Sequence, residues 1–347
     1  MKQTKQIHCG TVAIGGGAPV TIQSMTNTKT ENVRETVDQI LRLEEAGCEI
    51  IRCAVPTMEA AAALSEIREK IHLPLVADIH FDYRLAVAAI EAGADKVRIN
   101  PGNIGDDDKV FAVVEAAKKR GIPIRIGVNS GSLEKDLVEK YGGVTAEGLA
   151  ESALRNIRRV EGMDFTDIVV SMKSSDVRLN FEAHRLLRDK VAYPFHIGIT
   201  ESGSVRGGTV KSAAGLGALL VNGIGDTLRV SLTGDPVNEI GVAKEILKAC
   251  GCRAFGVNIV SCPTCGRTKV DLASIVDRIE REVSSIDKDL TVAVMGCEVN
   301  GPGEAKEADC GLAFGKDKAA LFCRGEVRET LETEKAIPAL LDLIRSI

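Results

Sequence analysis

LVADIHFDYRLAVAAIEAGADKVRIN, residues 75–100, holds one complete unit of the fold. LVADIH (75–80) is a short apolar run suited to a buried strand. Leu85, Ala88 and Ala89 then recur at helical spacing, and KVRIN (96–100) reads as the next strand. Gly93, five positions before Arg98, sits where a helix ends on a left-handed residue.

The same order repeats outward in both directions. Further strand-like runs are VTIQSM (20–25), EIIRCAV (49–55), IPIRIGVN (122–129), DIVVSMKS (167–174), FHIGITE (195–201) and TLRVSLT (227–233). Helical patterns such as Val33, Val37, Ile40 and Leu41 lie between them. Gly47 precedes Arg52, and Gly121 precedes Arg125, much as Gly93 precedes Arg98. Eight strand–helix units predict an α/β fold, a (β/α)8 TIM barrel over residues 1–238. A doubly wound open sheet is the alternative. The longest connection, 130–166, is expected to hold an inserted helix. IGGGAP (14–19) precedes the first strand instead of joining a strand to a helix, so it reads as a turn and not a dinucleotide fingerprint. The Gly-rich segment 203–217 follows the seventh strand, where barrels often place phosphate-binding amides.

After residue 238 the rhythm changes. A helix-like stretch (240–249) leads to GVNIVSC, a helix at 271–286, LTVAVMGC and a Gly/Pro loop. Strand-like runs at 311–314 and 320–323 and a helix at 334–344 follow. This predicts a second, smaller α+β domain over 239–347.

Composition narrows the function. The net charge is −5, and with no Trp and three Tyr the chain lacks both the basic surface and the stacking groups of a nucleic-acid binder. No run approaches membrane-spanning length, and MKQTKQIHCG has no apolar core of a secretory signal. A soluble, cytoplasmic protein is expected. In that compartment ten cysteines read as metal or redox chemistry plus buried packing, not disulfides.

Cys262 and Cys265 follow the strand-like GVNIV, Cys297 ends LTVAV, and Glu304 comes seven residues later. Two cysteines with two residues between them can ligate one site, and a third from a neighbouring strand end can converge on it. Cluster iron normally takes four cysteines, so a carboxylate in the fourth place leaves one iron harder and more exchangeable. A structural zinc site would want a fourth cysteine or a histidine, and no histidine follows His196. A simple dithiol leaves Cys297 unexplained. Cys9, Cys48, Cys53, Cys310 and Cys323 read as packing residues, and Cys250 and Cys252 as weaker ligand candidates.

In a (β/α)8 enzyme the chemistry lies at the C-terminal ends of the strands. Here those ends carry Arg52, Asp78 with His80, Arg98 with Asn100, Arg125 with Asn129, Lys173, Thr200 with Glu201, and Arg229 with Ser231. Five cations facing one mouth call for an anion, and arginine's planar fork suits phosphate oxygens. A compact diphosphate is the natural ligand. Asp78, Asp95 or Glu201 could instead pair with some of these cations as structural bridges. Glu201 reads as a general acid, with a bridge to Lys173 or Arg206 as its structural alternative.

The motifs VTIQSMTNT, IIRCAVP, ADIHFDYRLA, VRINPGNIG, IRIGVNSGSL, SMKSSD, GITESG and SCPTCGR…MGCEVNGPGE occur in order along nearly the whole chain. Together they resemble the 4-hydroxy-3-methylbut-2-enyl diphosphate synthase family in its compact two-domain bacterial form. The resemblance implies reductive ring opening of 2-C-methyl-D-erythritol 2,4-cyclodiphosphate in the non-mevalonate route to isoprenoids. It implies that Cys262, Cys265, Cys297 and Glu304 hold a [4Fe–4S] cluster. It implies that Arg52, Arg98, Arg125, Lys173 and Arg229 grip the diphosphate, assisted by Asn129 and Ser231. Glu201 would be the proton donor; Asp78, His80 and Thr200 match the motifs at the same mouth. Ferredoxin or flavodoxin would supply single electrons, and the enzyme would be a homodimer whose subunits share sites. The competing readings are a non-redox, pterin-synthase-like barrel with a zinc appendage, and an iron–sulfur carrier or sensor.

Overall fold

The structure, a computed structural model, describes residues 3–297 and 307–347. The chain forms two compact units, Met1–Arg253 and Ala254–Ile347.

The first unit opens with a hairpin absent from the sequence reading, β1 (Ile7–Cys9) and β2 (Val12–Ile14). Eight parallel strands follow: β3 (Thr21–Met25), β4 (Ile50–Ala54), β5 (Leu75–Asp78), β6 (Lys96–Ile99), β7 (Ile124–Asn129), β8 (Ile168–Lys173), β9 (His196–Ile197) and β10 (Thr227–Leu228). They pair in the order β8-β7-β6-β5-β4-β3-β10-β9. A parallel bridge between Val170 and Phe195 joins the two ends of that order, so the sheet closes on itself and the open-sheet alternative is excluded. β9 and β10 are shorter than the sequence suggested. Regular pairing stops after Ile197 and Leu228, although Arg229 N–H still donates to the Ile197 carbonyl at 3.0 Å.

The offsets between paired residues, followed once round the barrel, fall short of closure by eight residues. Eight strands with that shear stack their inward side chains in tiers of four, drawn from alternate strands. From the floor upward the tiers are Ile50, Lys96, Val169 and Thr227; Gln23, Val76, Arg125 and His196; Arg52, Arg98, Ser171 and Arg229; then Met25, Asp78, Gly127 and Gly198. Branched apolar residues usually fill such an interior. Here they are confined to the lowest tiers, where Ile50 and Val76 pack with Cys9 and Ile14 of the hairpin and close the floor.

The glycines that suggested the repeat do end helices: Gly47, Gly93 and Gly121 all have φ between 65° and 99°. The connection after β7 holds the inserted helix Lys135–Tyr141. IGGGAP is a turn. The Gly-rich segment 203–217 lies mostly within the helix Val205–Val221. A Cβ on Gly208 or Gly215 would stand 2.6 Å from Leu232 or 2.5 Å from Ile199, so these two glycines let the helix pack closely against the segments that follow β10 and β9. The expected boundary after residue 238 cuts through a helix, Val237–Ala249, that belongs to the barrel unit. It buries Ile240, Ala243 and Leu247, which is why the first unit runs on to Arg253.

The second unit is a five-stranded mixed sheet in the order β11 (Asn258–Ser261), β12 (Thr291–Met295), β13 (Cys310–Phe314), β14 (Lys318–Cys323), β15 (Glu326–Glu332). The first three strands are parallel and the last three antiparallel. Helices Leu272–Val283 and Thr333–Ser346 pack on it through Ile279, Val283, Leu340 and Ile344. No helix among the described residues is long and apolar enough to cross a membrane.

Candidate functional site

Strand alternation places Arg52, Arg98 and Arg229 in one tier, Arg125 in the tier below, and Lys173 above. All but Arg229 are buried. Their carboxylate partners are Asp78 and Glu239. Asp78 Oδ1 accepts from Arg98 Nη1 at 3.1 Å, and its Oδ2 lies 3.7 Å from Arg52 Nε. Glu239 pairs with Arg229 at 3.1 Å. Neither Arg125 nor Lys173 has an ion-pair partner among the described residues, so five cations share two carboxylates.

The electrostatics follow from this crowding. Burial pushes the Arg52 guanidinium down to about 10, against the pull of Asp78. Burial and then the neighbouring arginines lower Arg125 and Lys173 well below their ordinary values. Burial alone would raise the Asp78 carboxyl, but Arg52, Arg98 and Arg125 outweigh it and hold it well below the usual carboxylate range. An anion in the mouth relieves every one of these repulsions.

Two glycines that sequence reasoning passed over make room for the cation side chains themselves. Gly127 and Gly198 occupy neighbouring positions in the fourth tier. A Cβ on Gly127 would lie 2.5 Å from Arg98 Nε, and one on Gly198 would lie 3.1 Å from Lys173 Nζ. Met25 was also missed: its thioether accepts from Arg52 Nη2 at 3.0 Å and faces Arg229 Nη1 at 3.5 Å.

The remaining expected residues rim the same end. Asn129 and Thr200 are half-buried, as is Ser231, whereas His80 and Glu201 are exposed. Asn100 caps the short helix Pro101–Ile104 by accepting from Gly102 N–H. Glu201 has φ 52°, a left-handed conformation uncommon outside glycine and often held at functional sites. No ion pair joins it to Lys173 or Arg206 among the described residues. Asp95 instead serves structure, accepting from Leu75 N–H at 2.8 Å and pairing with Arg68.

In the second unit the parallel register sets Ser261 beside Val294, so Cys262 and Cys297 leave the C-terminal ends of adjacent strands. Both are buried, and Cys265 is exposed on the turn between them. Gly296 N–H donates to Cys262 Sγ at 3.3 Å, the kind of bond that stabilises a thiolate ligand. The Arg267 backbone N–H pulls the Cys265 thiol below its ordinary value. A Cβ on Gly296 would meet Thr268 at 2.9 Å, so the Cys-bearing turn requires glycine there. Glu304 lies outside the described residues, and among those described no three Cys, His, Asp or Glu side chains meet as a metal site. Cys9, Cys48, Cys53, Cys310 and Cys323 are buried, and Cys250 and Cys252 half-buried.

The barrel resembles solved dihydropteroate synthases in fold alone. That of Stenotrophomonas maltophilia superposes with a TM-score of 0.52 at 15% identity, covering 72% of this chain and 98% of that one. That of Yersinia pestis gives 0.51 at 12% identity, covering 71% and 98%. Sequence relatives are far nearer. Proteins named 4-hydroxy-3-methylbut-2-en-1-yl diphosphate synthase (flavodoxin) match in Caldanaerobacter subterraneus subsp. tengcongensis, at 56% identity over 100% of this chain and 98% of the relative. The one in Clostridium perfringens matches at 54% over 100% and 99%. Residues 4–244 match the GcpE TIM-barrel domain and residues 258–346 the GcpE protein C-terminal domain. With both units matched in order and full-length relatives above half identity, the chain belongs to the GcpE family.

Proposed function

We propose that this protein is a 4-hydroxy-3-methylbut-2-en-1-yl diphosphate synthase, a cytoplasmic oxidoreductase of the non-mevalonate route to isoprenoids. It opens 2-C-methyl-D-erythritol 2,4-cyclodiphosphate to 4-hydroxy-3-methylbut-2-enyl diphosphate. Two electrons enter, one ring C–O bond breaks, and a hydroxyl leaves as water with one added proton. The observation that carries this reading is the excess of cations at the barrel mouth, five (four of them buried) against two carboxylates.

Arg52, Arg98, Arg125, Lys173 and Arg229 bind the diphosphate, with Asn129, Thr200 and Ser231 donating hydrogen bonds from the rim. Asp78 keeps the Arg52 and Arg98 forks apart and oriented. His80 stands at the same rim. Glu201 protonates the departing hydroxyl. Cys262, Cys265, Cys297 and Glu304 would hold a [4Fe–4S] cluster, which when bound supplies the electrons one at a time. The thiol set fits such a group: two buried cysteines at neighbouring strand ends, an amide donor on one sulfur, and a third thiol already lowered. Flavodoxin, which the relatives' names carry, is the electron donor this reading adopts, with ferredoxin as the alternative. The active form is a homodimer in which the subunits share sites.

The test is iron, sulfide and zinc analysis of anaerobically purified protein, followed by turnover with the cyclodiphosphate. About four irons per chain and reductive product formation are expected. A colourless, zinc-stoichiometric protein after cluster reconstitution would overturn the reading in favour of a non-redox barrel.

A further inference from the structure

Glu239 stands on the helix that follows the last barrel strand and is 2% exposed. Four donors satisfy its carboxylate. Oε1 accepts from Arg229 Nη2 and from Leu232 N–H, both at 3.1 Å. Oε2 accepts from Arg229 Nε at 3.2 Å and from Ser24 Oγ at 3.1 Å. The guanidinium is therefore held by a two-point fork, and the carboxylate is itself fixed to β3 and to the loop after β10. What Arg229 has left, Nη1, is turned toward Met25 Sδ at 3.5 Å, the sulfur that also receives Arg52.

We infer that Glu239 is a positioning residue: it fixes the Arg229 fork so that its free edge meets the substrate diphosphate. This rests on the diphosphate reading of the mouth. A plain counter-charge would predict the opposite sign. The mouth already carries more cations than carboxylates, so removing Glu239 makes it more positive, and charge alone would then tighten anion binding. Loss of the fork frees Arg229 to adopt other rotamers and weakens binding.

Inorganic pyrophosphate is titrated by calorimetry into wild-type protein, Glu239→Gln, Arg229→Met and the double variant. Positioning predicts that Glu239→Gln weakens binding by about tenfold or more, and that in the Arg229→Met background it adds nothing. In turnover the loss falls on KM and leaves kcat near wild type, because the grip is the same in ground and transition states. Glu239→Asp keeps the charge but shortens the arm, so it too should weaken binding. It stands in for Glu239→Gln if that variant does not fold. Unchanged or tighter pyrophosphate binding in the variants overturns the inference, as does an equal loss with and without Arg229. If wild-type protein ignores pyrophosphate, the diphosphate reading itself falls, and this inference with it.

Discussion

Arg98 lies across the bare face of Gly127, with its Nε 2.5 Å from where a Cβ would stand. The two residues sit on neighbouring strands, and the missing side chain of one is the resting place of the other. Gly127→Ala therefore forces the guanidinium away from its place beside Asp78. Loss of one charge-assisted bond to phosphate is worth about 1.5–3 kcal/mol, so pyrophosphate affinity should fall about ten- to a hundredfold. Calorimetry decides it, and wild-type affinity in the alanine variant would show that Arg98 is not part of the grip.

Ligand binding should take up protons. Burial and the surrounding arginines depress Lys173 well below its ordinary value of 10.5. An anion reverses the repulsion and raises it again, so between the depressed and restored values binding draws a proton from solvent. Affinity should weaken as pH rises through that window. Titrations of pyrophosphate in two buffers of different ionisation enthalpy measure the uptake, and Lys173→Met should reduce it.

Acid should destabilise the fold through buried histidine. His184 is fully buried and pushed down by burial to about 4 from 6.5, although its Nδ1 lies 2.8 Å from the Asn180 carbonyl. The folded state thus binds fewer protons than the unfolded chain between those values. The contribution is whole above 6.5 and is lost as pH falls toward 4, at up to about 1.4 kcal/mol per pH unit. His196, lowered further by burial and by Arg125, acts in the same direction. Urea unfolding at pH 7 and pH 5 should show the loss, and a flat response would contradict it; His184→Gln should shrink it.

The proposed roles of Glu201 and the cysteines separate cleanly. Glu201→Gln should keep the cluster absorbance and lose most turnover, whereas Cys297→Ser should lose the absorbance as well. Glu304→Ala should loosen one iron, visible in the cluster spectrum. Mixing Glu201→Gln subunits with Cys297→Ser subunits should restore activity if subunits share sites. No recovery in confirmed mixed dimers would assign each site to one chain.

Much of this was legible in the chain. The eight strand runs, the helix-ending glycines and the cations at strand ends can be read because burial on both faces leaves β-branched runs in which a charged residue stands out. The tiers were not legible, since they depend on the shear between strands, which no local pattern encodes. Gly127 and Gly198 were missed for that reason: their role appears only when Arg98 and Lys173 are seen across the strand gap. Glu239 was missed because its helix resembled the start of the next domain. β15, EVRETLE, was missed because an exposed edge strand need not carry an apolar face.

The tiered interior also gives the barrel a direction. Below the arginines lie packed side chains and a closed floor, so on the proposed reading a charged guest would enter head first and go no deeper than the cations. Its tail would then lie at the lip, where Glu201 stands. The depth of the tube then decides which bonds of the guest are offered for chemistry. On the same reading the reductant would meet those bonds at the lip, since the closed floor gives it no way in from below.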